Sequence, residues 1–383
     1  MKFGKFVNPA GTTVVYSIFE GKEINEYNLT ITASAGESFT SQVTDVRETI
    51  LGFLEQHNLQ QNNILFQRIF ASDISNQAEG LKAITFCPAI SFVQQPPLSN
   101  AKISTWIVLL QPVKAISTDR KSGNNEVVFS HNGYSHEYLT QINFANLAES
   151  YSQTDAIFDF YLKWLEKKKQ SLSENSLRTW IFVRDIDNNY SGMVKARNAV
   201  FTKEGLTPDT HYIASTGIEG QTLITSALVM MDTYSIGGLD NGQITYLKAL
   251  EYLNHTHEYG VAFERGTAVD YGDRRHILIS GTASIDCSGE ILYPNDIEKQ
   301  TGRGFDNIKA LLREADADMG DVNSMIVYLR DRADTLFVEK YLAANYPDIP
   351  TIVVLAAVCR SGWLIEIECT AIKAIDNPRF RNF

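Results

Sequence analysis

The chain has 383 residues, 44% hydrophobic and 21% charged, which is enough apolar material for sizeable cores and too little charge for a disordered chain. Its formal net charge is −11 and its densest basic run is Lys167-Lys168-Lys169, so it lacks the clustered cations with which a nucleic-acid binder neutralises phosphates. Apolar runs reach about seven residues, as from Ile352 to Val358, far short of the roughly 20 that span a bilayer.

At roughly 150 residues per domain, the length predicts two or three domains. In chain order, one set of signals recurs three times. Thr13 to Ile31 alternates like a hairpin, and Gln42 then opens an amphipathic helix carrying Val43, Val46, Ile50, Leu51 and Leu54. A strand from Ile64 to Phe70 stops at Asp73, and a closing strand runs from Ile103 to Leu110. After a turn-rich stretch from Ser117 to Asn125, the pattern restarts with a hairpin from Val127 to Phe144. Gln153 opens a helix carrying Ile157, Tyr161, Trp164 and Leu165; Trp180 to Val183 stops at Asp185, and Thr222 to Met231 closes the unit. A second turn-rich stretch, Gly237 to Gly242, precedes the third copy. There Val261 to Leu292 forms the hairpin, Gln300 leads Phe305, Ile308, Leu311 and Leu312, Met325 to Leu329 stops at Asp331, and Trp363 to Ile372 closes.

The Gln-to-Asp separations are 31, 32 and 31 residues. We read an α+β chain of three β-β-α-β-α-β modules, residues 1–115, 116–245 and 246–383, forming a pseudo-trimer. Cys87, Cys287, Cys359 and Cys369 are sparse, no CxxC occurs, and Met1 to Lys5 leads into no apolar segment. The expectation is a reduced, cytoplasmic protein with no membrane or nucleic-acid partner, and self-association remains open. His131, His136, His255 and His257 lack a zinc-ligand spacing, and no GxGxxG, P-loop or GxSxG occurs, so neither a metal nor another cofactor is implied.

The chemistry concentrates in the third copy. Glu366 and Glu368 lie two apart in an apolar strand and share a face. Mutual repulsion and burial raise a carboxyl pKa toward that of a general acid, whereas an Arg partner makes such a glutamate structural. The residues favour the Arg-paired reading for Glu368 and leave Glu366 open between the two. Cys359 precedes Arg360, whose guanidinium favours the thiolate and can capture a carboxylate; simple packing is the competing reading of the thiol. Gly281 and Thr282 are expected at a tight turn after a strand, where glycine permits close approach to a ligand. Arg197 stands in a helix with Val194, Ala196 and Val200, and Arg274 and Arg275 are candidates for positive potential at a cleft mouth.

The run Ile279 to Asp286, then Asp296-Ile297-Glu298-Lys299-Gln300, Asn307-Ile308, Leu311-Leu312, Asp321-Val322, Val327 to Asp331 and Glu366-Ile367-Glu368 resemble the RidA/YjgF (L-PSP) family over roughly residues 258 to 375. Members of that family form trimers with ligand sites between subunits, which implies clefts between the three modules here. The whole chain resembles the chorismatases, which release pyruvate from chorismate. Leu177-Arg178-Thr179-Trp180 and Ala196 to Phe201 add to that likeness.

The resemblance implies Glu366 and Cys359 as catalytic residues. It implies Arg360, Arg197, Gly281 and Thr282 as the binding site for a small carboxylated substrate. One departure is plain: RidA deaminases hold an imine carboxylate with an Arg just after the Pro that precedes the penultimate strand, and here Pro350 is followed by Thr351. The leading expectation is therefore a chorismatase-like enzyme with Glu366 as general acid. An imine deaminase and a non-catalytic small-molecule binder are the alternatives.

Overall fold

The computed structural model describes residues 1–113 and 116–383 and resolves them into three six-stranded sheets with interspersed helices. The first module contains β1 (Lys2–Val7), β2 (Thr13–Phe19), β3 (Ile24–Thr32), α1 (Phe39–Gln56), β4 (Ile64–Ala71), α2 (Ile74–Leu81), β5 (Ile90–Gln94) and β6 (Ile103–Pro112). The second contains β7 (Thr118–Gly123), β8 (Glu126–His131), β9 (Tyr134–Ile142), α3 (Ser150–Lys167), α4 (Leu172–Asn175), β10 (Ser176–Val183), α5 (Ile186–Lys203), β11 (Ala214–Glu219) and β12 (Val229–Gly237). The third contains β13 (Ile244–Leu247), β14 (Gly266–Asp270), β15 (Arg274–Ala283), α6 (Ile297–Glu314), β16 (Val322–Leu329), α7 (Thr335–Asn345), β17 (Thr351–Leu355) and β18 (Ile365–Ala374).

The sheet orders are β1-β2-β3-β6-β4-β5, β7-β8-β9-β12-β10-β11 and β13-β14-β15-β18-β16-β17, one topology repeated three times. Each module thus has two strands more than the expected β-β-α-β-α-β. One leads the hairpin, and the other follows the second helix and pairs in parallel with β4, β10 or β16. The missed strands lie at sheet edges. Thr118–Gly123, within a stretch read as a turn, is an exposed edge strand of sequence TDRKSG. The second closing strand starts at Val229, later than expected. The boundary expected at residue 115 lies outside the described residues, and residue 245 falls within β13.

The three glutamines share one structural role. Gln42, Gln153 and Gln300 are buried in the first turns of α1, α3 and α6. Each accepts from a backbone N–H at the start of the closing strand: Lys102 at 2.8 Å, Leu228 at 2.8 Å and Leu364 at 2.9 Å. Each side-chain amide donates to a nearby carbonyl, that of Glu37, Leu147 or Tyr293. The clamp satisfies backbone groups that would otherwise be buried without partners, and it pins helix to strand.

Strand alternation sets the layers. In β18, Ile365, Ile367, Cys369 and Ala371 share one face, while Glu366, Glu368 and Thr370 share the other, which meets the neighbouring modules. Segments following β5, β11 and β17 close a ring. Gln94 N–H donates to Gln221 O (2.7 Å), Glu219 N–H to Ala357 O (3.2 Å), and Leu355 N–H to Pro96 O (2.9 Å). Buried ion pairs reinforce each seam: Arg68 with Asp232 at 2.9 Å, Arg178 with Glu368 at 2.6 Å, and Arg274 with Glu26 at 2.6 Å.

Candidate active site

The seam between the second and third modules holds a cavity with about 460 Å³ of space outside the protein atoms, its opening to solvent included. The second module contributes Tyr190 and Arg197 from α5, with Ser215 and Gly217 from β11. The third contributes Tyr259, Phe263, Arg265, Gly281, Cys359, Trp363 and Glu366, among others. The two walls are stitched by Glu264 N–H to Ile213 O at 3.0 Å and by Ser215 N–H to Ser280 Oγ at 2.9 Å.

Glu366 is 5% exposed, and its carboxyl makes no hydrogen bond among the described residues. Burial, then the neighbouring Glu368 charge, push its carboxyl up to about 8 against the opposing pull of Arg178 and Arg265. It is therefore a protonated acid at neutral pH. Glu368, two residues on, is saturated: it accepts from Arg178 Nη2 at 2.6 Å, from Trp180 Nε1 at 2.9 Å and from the Thr216 hydroxyl. The two carboxyls thus divide as expected, one facing a cavity and one held in a buried ion pair.

Gly281 lies inside β15, at a break in the β15/β18 register, rather than at a turn after it. Its N–H donates to Thr216 Oγ1 at 2.9 Å, and a Cβ placed there would sit 2.8 Å from Glu366 Cδ. The glycine makes room for the acid. Gly281→Ala is expected to displace the Glu366 carboxyl and lower turnover by about tenfold or more with the fold retained, measured as kcat beside a circular-dichroism melt. Thr282 is buried, its hydroxyl donates to Ser280 O at 2.8 Å, and it does not line the cavity.

Arg197 is 2% exposed, so it is no solvated helix charge. Its Nε and Nη2 have no hydrogen-bond partner among the described residues. Burial lowers its pKa, a shift that a bound anion would reverse. The neighbouring Cys359 thiol, expected as a thiolate, is instead pushed up to about 12 by burial and by the charge of Glu366, which outweigh Arg360 and Arg197. It enters the site as a neutral thiol beside the Tyr190 hydroxyl.

Arg360 does not line the cavity. Its guanidinium stacks over Tyr259 at 4.3 Å and Trp363 at 4.9 Å, bracing two wall residues. Arg274 and Arg275 are also elsewhere. Arg274 is buried with Glu26 and Asp273, and Arg275 pairs with Asp270 and Asp316. His255 and His257 stack with centroids 5.2 Å apart, and no group of three or more metal-ligating side chains occurs among the described residues. Sequence reasoning missed Tyr190, Tyr259 and Arg265 as wall residues. Arg265 is buried, donates to the Asn254 carbonyl and side chain, and adds positive field to the cavity. An arginine immediately ahead of β14 was the available signal.

Residues 266–373 match the family model described as Endoribonuclease L-PSP. A RutC family protein of Pyrococcus abyssi is 33% identical over 99 residues, covering 25% of this chain and 78% of that relative. The chain belongs to the RutC family. A second RutC family protein, from Pyrococcus horikoshii, is 32% identical over the same length, covering 25% of this chain and 79% of its own. The RutC-family segment supplies Gly281, Cys359, Trp363 and Glu366 to the cavity, while α5 and β11 lie outside the matched residues. Over 81% of this chain the fold is similar to that of a crystallised chorismatase, with a TM-score of 0.61 and 17% identity, covering 93% of that one. No helix among the described residues is long and apolar enough to cross a membrane.

Proposed function

We propose that this chain is a cofactor-free enzyme that cleaves the enolpyruvyl ether of chorismate, or of a similar small carboxylic acid, and releases pyruvate. One observation carries the reading: a protonated carboxyl, Glu366, shares a cavity with a buried cation, Arg197, that lacks an anion of its own. The fold held in common with a chorismatase supports it.

In this mechanism Arg197 holds a substrate carboxylate, and Arg265 adds to the positive field. The alkene electron pair of the enol ether takes the Glu366 proton at the methylene carbon. Positive charge then develops at the ether carbon and is met by water, whose proton returns to the Glu366 carboxylate. The hemiketal collapses as the ether C–O bond breaks, and its hydroxyl proton passes to the departing ring oxygen. Pyruvate and a hydroxylated ring acid result, with the glutamate regenerated.

The test is pyruvate formation from chorismate, followed through lactate dehydrogenase. Turnover is expected in the native chain. Arg197→Met is expected to raise KM by about 10²-fold, the effect of removing a buried charge partner. Ammonia from 2-iminobutyrate without pyruvate from chorismate assigns deamination instead, and tight chorismate binding without turnover assigns a binding protein.

A further inference from the structure

A second chamber lies where the inner faces of all three sheets meet, with about 570 Å³ of space outside the atoms, including its opening. Alternation along the strands builds it: Glu26 and Asn28 of β3, His136 and Tyr138 of β9, and His276 and Leu278 of β15 are i, i+2 pairs on the third strand of each module. Trp106, Val108 and Leu110 of β6 and Trp180 of β10 add aromatic and aliphatic wall.

Its charges are already balanced. Burial would raise the Glu26 carboxyl, but His276 and Arg274 hold it down at about 2. Burial and the neighbouring His276 push His136 down to about 3, leaving it neutral. Other polar groups are not used. Asn28 and Asn323 are each 4% exposed, and their carbonyl oxygens accept from Trp106 Nε1 and the Thr370 hydroxyl, while their amide nitrogens donate to nothing among the described residues. The Tyr138 hydroxyl and the second ring nitrogen of His276, whose Nε2 faces Glu26 at 2.7 Å, are equally unengaged there. Polar groups that face a chamber without a protein partner can bond a ligand there. With no uncompensated cation to repay desolvating an anion, the partner is uncharged. Aromatic walls select a planar ring, and donors beside an imidazole suit a hydroxyl that accepts and donates.

We propose that this chamber is a second ligand site and takes a small uncharged phenol. It does not depend on the reading of the catalytic cavity. Phenol itself is the probe. Crystals of the full chain soaked in phenol are expected to show a ring in the chamber, and phenol is expected to quench the fluorescence of Trp106 and Trp180 saturably. Val108→Phe, which fills the chamber, is expected to weaken quenching about tenfold or more, with Leu110→Phe as a second filler should the first misfold. Arg197→Met is expected to leave phenol affinity unchanged, which separates this chamber from the catalytic cavity. Soaked native crystals with only water in the chamber overturn the proposal. So does phenol found in the catalytic cavity, or quenching undiminished in a folded filled variant.

Discussion

Glu366→Gln is expected to abolish pyruvate release, lowering kcat by roughly 10²–10⁴-fold, the usual contribution of a positioned general acid. The amide keeps the volume and polarity of the neutral carboxyl but cannot protonate carbon. In the native chain the acid must be protonated, so kcat/KM is expected to fall as pH rises through about 8. Retained turnover in the variant removes Glu366 from the mechanism.

Stability carries an independent signature. The folded-state pKa of this carboxyl lies above its ordinary value of 4.5. The stability it contributes is therefore fully present below 4.5 and is lost as pH rises through about 8. Glutamine does not titrate and escapes that loss. The melting temperature of Glu366→Gln is expected to match the native value near pH 4.5 and to exceed it at pH 8 and above. A constant difference across that range argues against a raised pKa, whatever the kinetics show.

Arg178→Met is expected to destabilise the fold by about 3–5 kcal/mol, measured by denaturant unfolding. Arg178 is 1% exposed and donates to Thr216 within its own module and to Glu368 across the seam. Removing it leaves Glu368 charged, buried and beside Glu366, with Arg68 Nη1 the remaining cation at 4.0 Å. Adding Glu368→Gln is expected to recover part of the loss, because the damage arises from the abandoned carboxylate rather than from the missing arginine. A single variant as stable as the native chain shows that the pair is not what holds this seam.

The helices and inner strands were legible because each has a buried face at a fixed period. The glutamines were legible as a spacing, and the structure supplies their cause in the clamp to the closing strand. Edge strands such as Thr118–Gly123 were not legible, since an exposed hydrogen-bonded strand needs no apolar face. Glu366 could be read from strand parity together with resemblance. Arg197 entered the binding set through resemblance alone, because the cavity it lines includes residues of another module that its own helix does not reveal. The ionisation of Cys359 went wrong for a related reason. Adjacency in sequence favoured the effect of Arg360, whereas in space the thiol meets burial and a carboxyl.

The register of the closing strands gives this arrangement a further meaning. Opposite Phe70, Phe182 and Tyr328, the seventh residues of three equivalent strands, stand Ser104, Met230 and Glu366. A ring of identical subunits would have to repeat its acid at every interface, with every substitution copied three times. Joining the three units in one polypeptide removes that obligation. Two junctions are free to become mortar, and the proposed function then calls for one substrate per chain in place of three per ring.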